Sequence, residues 1–391
     1  MSAVKGSLAI NTKPFVVEGD KVYFFTCEDS GKDNSGNVPD ILYLMGMPVE
    51  RYAAKGVLED LNPYLDKDDV VKKDDIVPSV LKAMQTDGKL YYIATGSMVY
   101  SVMAKKEDVG DRTGWTVEEF KALLDEKGEG VRPLLKDNKT EVLESLMRAC
   151  ANDYIDWNKG ECRFNGESFK SLLEIAGRGN DEETDYDSMN YIDDIRSGNV
   201  LLDDFLCLTP SDMQISKKVF DCDVTLIGYP CEDKKGSYFD LYNKIGIYSQ
   251  SKVKDGAWEF LRTLMTKDYQ LSDEYCYWGF CPTNIDAFES YMKTQTATEP
   301  YTDEYGRSIT PNYMNAFSEG DVQIDYSPLS PDEEKLYRDL VNTTTKIRGD
   351  NEEVVNIICE EAGAYFAGQK SLDETADIIQ NRVTNYVNEI R

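Results

Sequence analysis

Carboxylates are the reactive groups that this sequence supplies most freely. Asp193-Asp194 and Asp203-Asp204 are adjacent pairs, and residues 181–187 form an acidic run. Paired carboxylates could hydrolyse a glycosidic bond, and a dense acidic loop could bind Ca²⁺. Because the chain carries 72 Asp and Glu against 43 Lys and Arg, such pairs are expected anywhere on its surface. We interpret them as solvated acidic loops and predict no catalytic residue, no metal site and no cofactor.

The sequence contains no histidine, and this excludes several enzyme classes at once. A Ser-His-Asp or Cys-His nucleophile, an imidazole base and most zinc sites all require that side chain. The motifs GxxxxGK[ST] and GxSxG are absent, as is a strand-linked GxGxxG, so nucleotide binding and hydrolase chemistry are not indicated. A carboxylate-based carbohydrate-active enzyme remains as the enzymatic alternative.

Nine cysteines are present, and none forms a CxxC pair. Cys222 and Cys231 bracket a strand-like stretch, and Cys276 and Cys281 flank four residues that include Trp278. Either pair could form a disulfide. Separate buried thiols are the interpretation that we favour, because an unoxidised cysteine behaves as a small apolar side chain.

Charge and length restrict the class of protein further. A net charge of -29 repels phosphate backbones and anionic lipid headgroups, so nucleic acid and membrane surfaces are not the expected partners. The 391 residues, 41% of them hydrophobic, suffice for two domains with sizeable cores. No apolar run is long enough for a membrane helix, and residues 1–6 do not begin a signal peptide. The protein is therefore expected to be cytoplasmic, or this chain begins after an export segment.

Strand and helix patterns alternate along the chain. Two capping boxes predict helix starts, one at Thr116 with Glu119 and one at Ser371 with Glu374. This interleaving indicates an α/β fold with predominantly parallel sheets. The predicted strands are 21–25, 38–44, 89–93, 100–104, 224–228 and 244–248.

Several segments, in this order, resemble extracellular solute-binding proteins of the maltose-binding type (family 1), which are components of ABC importers. The resemblance covers roughly residues 38–391, and it depends on the order and spacing of weak motifs rather than on any single one. The segments are Pro39-Asp40-Ile41, Ala53 to Leu58, Leu61 to Leu65, Asp87 to Ile93, Gly114 to Phe120, Ile245 to Ser249, Ala257 to Leu261, Gly279 to Asn284 and Phe366 to Thr375.

The resemblance implies a periplasmic-binding-protein-like fold with two discontinuous lobes joined by a hinge. Residues 1–100 with 240–290 would form lobe one, and residues 101–239 with 291–391 would form lobe two. The family normally places a strand, a long helix and a second strand before the first motif. Only about 38 residues precede it here, so the N-terminal part of lobe one is expected to be shortened.

The resemblance also implies a function and partners. The protein would capture a small-molecule ligand, a sugar or an oligosaccharide, and deliver it to an ABC permease. It would act as a monomer at the extracellular cell surface, as a lipoprotein, and would catalyse nothing. A non-transport, ligand-sensing module of the same fold remains an alternative, since the short N-terminus would suit it.

The candidate ligand-binding residues follow from their places in that fold. The turn after strand 38–44 and the two hinge crossings, at 95–98 and 236–238, would face the solute. Trp157 and Trp278 are candidates for stacking on a sugar ring, although either could equally be an ordinary packing residue. The full set is Leu44, Met45, Gly46, Thr95, Ser97, Met98, Trp157, Asp204, Phe205, Gly236, Ser237, Tyr238 and Trp278.

Overall fold

The chain divides into two compact units in a computed structural model. Unit 1 comprises Met1–Met98 with Asp240–Lys293, and unit 2 comprises Val99–Phe239 with Thr294–Arg391. The chain therefore passes from one unit to the other three times. The structure describes residues 15–17, 20–22, 24–25, 39–45, 47, 49–136, 138–157, 159–181, 191–207, 210–272, 280–311, 316–319, 322–325, 327–349 and 351–390.

The strands of the described residues are mostly short, and β7 is the longest. They are β1 (Phe15–Val17), β2 (Asp20–Val22), β3 (Phe24–Phe25), β4 (Ile41–Tyr43), β5 (Gln85–Thr86), β6 (Lys89–Leu90), β7 (Gly96–Lys105), β8 (Arg132–Leu134), β9 (Ile155–Asp156), β10 (Glu161–Cys162), β11 (Val200–Cys207), β12 (Val224–Leu226), β13 (Tyr238–Tyr242), β14 (Ile245–Ile247), β15 (Cys281–Pro282), β16 (Tyr301–Thr302), β17 (Ser308–Ile309), β18 (Ala316–Glu319), β19 (Val322–Asp325) and β20 (Lys346–Ile347).

The helices alternate with these strands, as the sequence predicted. They are α1 (Val49–Ala54), α2 (Asn62–Leu65), α3 (Pro78–Met84), α4 (Lys106–Val109), α5 (Val117–Lys127), α6 (Lys139–Cys150), α7 (Glu167–Ala176), α8 (Tyr191–Ser197), α9 (Asp212–Phe220), α10 (Lys254–Leu264), α11 (Lys267–Gln270), α12 (Ile285–Thr296), α13 (Pro331–Thr343), α14 (Glu352–Phe366) and α15 (Leu372–Ile390), with 3-10 turns at Lys73–Asp75 and Ala151–Tyr154.

In unit 1, β4 lies between two partners, parallel to β3 and antiparallel to β14. Gly246, at the centre of β14, allows this packing, because a Cβ there would lie 2.8 Å from the carbonyl oxygen of Tyr91. The first residues of β7 pair with β15. Helix α10 buries Trp258 and Leu261 on one stripe, and the Trp258 indole donates a 2.7 Å hydrogen bond to Asp68.

In unit 2, the sheet order is β20-β13-β7-β11-β8, and β12 also pairs with β7. The β11–β8 and β13–β20 pairs are parallel, whereas β11 and β12 both run antiparallel to β7. With the antiparallel β4–β14 pair of unit 1, the sheets are mixed, so the prediction of predominantly parallel sheets was wrong. Alternating strands and helices give parallel pairs only when a single helix connects two strands that then pair with each other. The strands that pair here are separated by longer stretches of chain.

The helix starts agree with the capping patterns. The Thr116 hydroxyl accepts a 3.2 Å hydrogen bond from the Glu119 amide, and the Glu119 carboxylate accepts a 2.7 Å bond from the Thr116 amide. At α15 the Ser371 hydroxyl accepts from the Glu374 amide. Among the described residues, no helix combines the length and the apolar character that crossing a membrane requires.

Candidate functional site

Three tyrosine rings lie close together in unit 2, two of them on strands of its sheet. Tyr100 and Tyr238 stack with ring centroids 5.1 Å apart and planes 9° from parallel. The Tyr229 ring also stacks on Tyr238, with ring centroids 5.9 Å apart and planes 29° from parallel. Tyr229 and Tyr238 are buried and Tyr100 is half-buried. The group thus offers a rigid aromatic surface with one partly accessible ring.

Asp204 lies on the same face of this sheet. On β11 it pairs with Val102 of β7, two residues from Tyr100, and directly paired residues share a face. One carboxylate oxygen lies 2.8 Å from the Lys136 ammonium and accepts a 3.4 Å hydrogen bond from the Tyr229 hydroxyl. Burial raises the pKa of Asp204, while Lys136 acts in the opposite direction. We call Tyr100, Lys136, Asp204, Tyr229 and Tyr238 the tyrosine–aspartate face.

Asp203 points away from this face, because adjacent strand residues alternate between the two faces of a sheet. Its carboxyl group bonds to Ser216 on α9, and burial raises its pKa to about 6. Asp203 and Asp204 therefore do not act on one substrate atom from two sides, as glycoside hydrolysis by paired carboxylates requires.

The segment that carries Tyr229 is fixed by its own backbone. A Cβ on Gly236 would lie 1.7 Å from the Tyr229 carbonyl oxygen, and the Tyr229 amide donates a 3.1 Å hydrogen bond to the Gly236 carbonyl. The absence of a side chain at Gly236 therefore allows the close approach of the segment at Tyr229. Ser237 adds a 2.8 Å hydroxyl–hydroxyl bond to Ser101.

An ion cluster holds the same segment to β20. The Lys346 ammonium lies 2.8 Å from both Asp153 oxygens and 2.9 Å from Asp233. Burial raises the pKa of Asp153. Burial acts in the same direction on Asp233, but the hydrogen bond and charge of Lys346, together with hydrogen bonds from Lys235 and Cys231, lower the pKa of that carboxyl group.

A metal site at this cluster is disfavoured. Asp153, Cys231 and Asp233 lie close enough together to hold a cation. However, the carboxylates of Asp153 and Asp233 are both engaged by the Lys346 ammonium, and burial raises the pKa of the Cys231 thiol to about 12. Lys346 already supplies the positive charge. We therefore assign the cluster a structural role.

In unit 1, neutral side chains connect the ends of three strands. The Asn243 amide donates a 3.1 Å hydrogen bond to the Thr95 hydroxyl and accepts a 3.4 Å bond from the Tyr43 hydroxyl. The backbone amide of Thr95 donates to the Tyr242 carbonyl at 3.1 Å. Asn243 has φ of +53°, a conformation that asparagine adopts more readily than most residues.

An aromatic pair lies beside this network. Tyr242 and Phe280 stack with centroids 4.1 Å apart, and both rings are half-buried. In the same unit the Gln270 side chain, fully buried, accepts hydrogen bonds from the amides of Thr283 and Asn284 at 2.9 and 2.8 Å. Unit 1 therefore also presents an aromatic surface next to neutral hydrogen-bonding groups.

The structure brings some predicted site residues together and separates others. Asp204 and Tyr238 both belong to the tyrosine–aspartate face, and Thr95 belongs to the neutral network of unit 1. Leu44 is a core residue with 1% of its surface exposed, which makes a solute contact by its side chain unfavourable.

The remaining predicted residues are less informative. Trp157 is half-buried, and its indole donates a 3.4 Å bond to Asn152. The Ser97 hydroxyl donates to the Cys281 carbonyl at 3.4 Å, and Met45 and Met98 are half-buried. Gly46 and Trp278 lie outside the described residues, as does the side chain of Phe205. The assignment of these residues to a ligand stays a prediction.

Sequence reasoning missed six residues at the two candidate surfaces. They are Lys136, Tyr100, Tyr229, Tyr242, Asn243 and Phe280. One signal was available: Tyr238, Asp240 and Tyr242 alternate with Phe239 and Leu241, so polar and apolar faces of β13 could have been separated. No sequence signal placed Lys136 beside Asp204.

Residues 30–300 match a family described as bacterial extracellular solute-binding protein. The chain belongs to this family, which confirms the resemblance found in the sequence. Members of the family bind solutes, and the family is an extracellular one.

Solved structures with the same fold include binding proteins for sugars. The sugar-binding protein MalE from Xanthomonas citri is 14% identical with a TM-score of 0.55 over 90% of this chain and 84% of its own. A putative oligosaccharide periplasmic-binding protein from Synechococcus sp., in complex with zinc, is 15% identical with a TM-score of 0.52 over 90% and 86%.

A third structure is an ABC substrate-binding protein from Listeria monocytogenes in complex with cycloalternan. It is 14% identical with a TM-score of 0.50 over 90% of this chain and 86% of its own. These likenesses confirm the periplasmic-binding-protein-like α/β fold that we predicted.

Proposed function

We propose that the protein captures a sugar or an oligosaccharide outside the cytoplasm and delivers it to an ABC permease. The observation that carries this proposal is the tyrosine–aspartate face, where stacked tyrosines lie beside a paired carboxylate. Sugars present apolar C–H faces and a rim of hydroxyl groups. Aromatic rings pack against the C–H faces, and carboxylate and ammonium groups form hydrogen bonds with the hydroxyl groups.

The connections between the units favour a binding function as well. Strand β7 directly follows Thr95 of unit 1 and carries Tyr100 in unit 2, and β13 carries Tyr242 in unit 1 and Tyr238 in unit 2. Both strands are thus crossings that contribute residues to the two candidate surfaces. Hinge motion at such crossings would let the units close on a solute, and the closed state is what a permease would recognise.

The relatives named above support the same proposal. Their names describe a sugar-binding protein, a putative oligosaccharide-binding protein and a substrate-binding protein in complex with cycloalternan. We propose that this chain acts on the same broad class of solute, as a monomer at the outer cell surface. Binding energy, and not bond making, would be its output, so the protein needs no activated nucleophile.

A thermal-shift screen of the full chain tests the proposal. The panel contains glucose, galactose, maltotriose, cellotriose, spermidine and trialanine. We expect at least one uncharged sugar to raise the melting temperature in a concentration-dependent way. At a ligand concentration a hundredfold above Kd, binding should add about 2.7 kcal/mol to the free energy of unfolding. A rise with spermidine or trialanine alone would contradict it.

A matched pair of tyrosine variants locates the contact. Tyr100→Ala removes the half-buried ring of the tyrosine–aspartate face, and we expect it to weaken sugar binding about tenfold or more. Tyr305→Ala removes a ring that is 44% exposed on the turn between β16 and β17, and it should leave the affinity unchanged. Equal affinities for both variants would remove the tyrosine–aspartate face from the site.

A further inference from the structure

The carboxylate of the tyrosine–aspartate face is shielded from water and matched by one cation. The Asp204 side chain is 8% exposed, and that of Lys136 is 27% exposed. At this depth an unmatched charge would be strongly unfavourable, because little water is present to solvate it. The ion pair brings the local charge close to zero in a chain whose net charge is -29.

Charged groups also act on Tyr238, the buried ring of the same face. Burial raises the pKa of the Tyr238 hydroxyl, Tyr100 and Asp204 add to that rise, and the cations Arg348 and Arg148 act against it. Arg148 pairs with Glu144 on α6, and the Arg348 amide donates a 2.7 Å hydrogen bond to the Phe239 carbonyl. Charges of both signs therefore act on this ring.

We infer that Lys136 is a specificity-determining residue: by pairing with Asp204 it cancels the charge there and makes the protein select uncharged polyhydroxy solutes. The inference rests on the proposed function and adds the charge class of the solute. The paired carboxylate still accepts hydrogen bonds from hydroxyl groups, and the ammonium still donates them. A charged sugar would bring an unmatched charge of its own to this shielded position, which is unfavourable.

Two single variants reverse the selection in opposite directions. Lys136→Met removes the positive charge beside the Asp204 carboxylate and should favour an amino sugar, whereas Asp204→Asn removes the negative charge beside the Lys136 ammonium and should favour a uronic acid. Each shift should be about tenfold or more in the ratio of charged to uncharged affinity. Lys136→Arg keeps the charge, and Lys136→Met with Asp204→Asn removes both charges, so these two should retain the wild-type order.

The probes are sets that differ only in charge, measured by calorimetry at pH 6. They are glucose with glucosamine and glucuronate, galactose with galactosamine and galacturonate, and the β-linked trimers of glucose, glucosamine and glucuronate. If any variant fails to fold, the remaining variants still carry the test, since each predicts its own order. We expect opposite inversions for the two single variants, and weaker ones at high salt because screening reduces charge effects.

The outcomes separate this inference from the proposed function. If the wild-type protein binds no uncharged sugar in the probe sets or the earlier panel, both fail. If it binds an uncharged sugar but prefers the charged analogue, or if both single variants keep the wild-type order, the inference alone is overturned.

Discussion

The two units fix the residues near their crossing points by different chemistry. In unit 1 the bonds join neutral groups: Asn243 to Thr95 and Gln270 to the 283–284 backbone. In unit 2 the corresponding contacts are ion pairs, Lys346 with Asp153 and Lys136 with Asp204. Hydrogen bonds between neutral groups depend little on pH or salt. Removing one partner of a buried ion pair is strongly destabilising, because it leaves an unmatched buried charge. The two units should therefore respond differently to the same kinds of change.

Lys346→Met should have the largest effect. It leaves Asp153 and Asp233 without their shared ammonium, and Asp153 is only 16% exposed. Removing one partner of a buried pair costs about 3–5 kcal/mol, so we expect a loss of that size in urea unfolding. The control is Lys335→Met, whose pair with Asp339 is mostly exposed, with an expected loss below about 1 kcal/mol. Similar losses for both variants would show that burial does not matter here.

Gln270→Leu tests the neutral network of unit 1. The change leaves two buried amides, of Thr283 and Asn284, without acceptors. Each unsatisfied group costs about 1–3 kcal/mol, so we expect a loss of about 3 kcal/mol in urea unfolding. This loss should be the same at pH 5 and pH 8. The exposed Gln250→Leu serves as control, and a strong pH dependence of the Gln270→Leu loss would contradict the neutral description.

Asp203→Asn should have the smallest effect and the opposite sign. The folded-state pKa of Asp203 is raised from 3.8 to about 6, so the folded protein binds the proton more tightly than the unfolded chain. Stability from this group is therefore present below pH 3.8, falls as the pH rises to 6, and is flat above it. The shift corresponds to a penalty of about 3 kcal/mol, and because the variant also weakens the hydrogen bond with Ser216, we expect a net gain of about 2 kcal/mol at pH 7.5.

The pH dependence distinguishes this gain from ordinary surface effects. Near pH 4 the gain of Asp203→Asn should be much smaller, because the folded chain is then almost fully protonated at this position and the unfolded chain is partly protonated. Asp193→Asn, at an exposed carboxylate, should change stability little at either pH. A gain of equal size at pH 4 and pH 7.5 would rule out titration of Asp203 as the cause.

The sequence predicted local structure well where a short motif determines it. The Thr116–Glu119 capping box needs only four consecutive residues, and the structure has both of its hydrogen bonds. Strand direction was predicted wrongly, because β7 and β11 are nearly a hundred residues apart in the chain and nothing local fixes how such strands pair.

Candidate site residues were predicted in part for the same reason. Asp204 and Tyr238 could be proposed from their places beside a predicted turn and crossing strand. Lys136 and Tyr229 act through distant partners: the Lys136 ammonium lies 2.8 Å from a carboxylate 68 positions away in the sequence. Only the register of β11 on β7 and the fixed segment around Gly236 bring these groups together.

Small-angle scattering of the wild-type protein, with and without a bound sugar, tests the central claim most directly. Calorimetry on the same samples first establishes that the site is saturated. We predict that the radius of gyration falls on saturation, because the two units close when a solute is bound. Saturation with an unchanged radius of gyration would contradict a protein that works by closing on its solute.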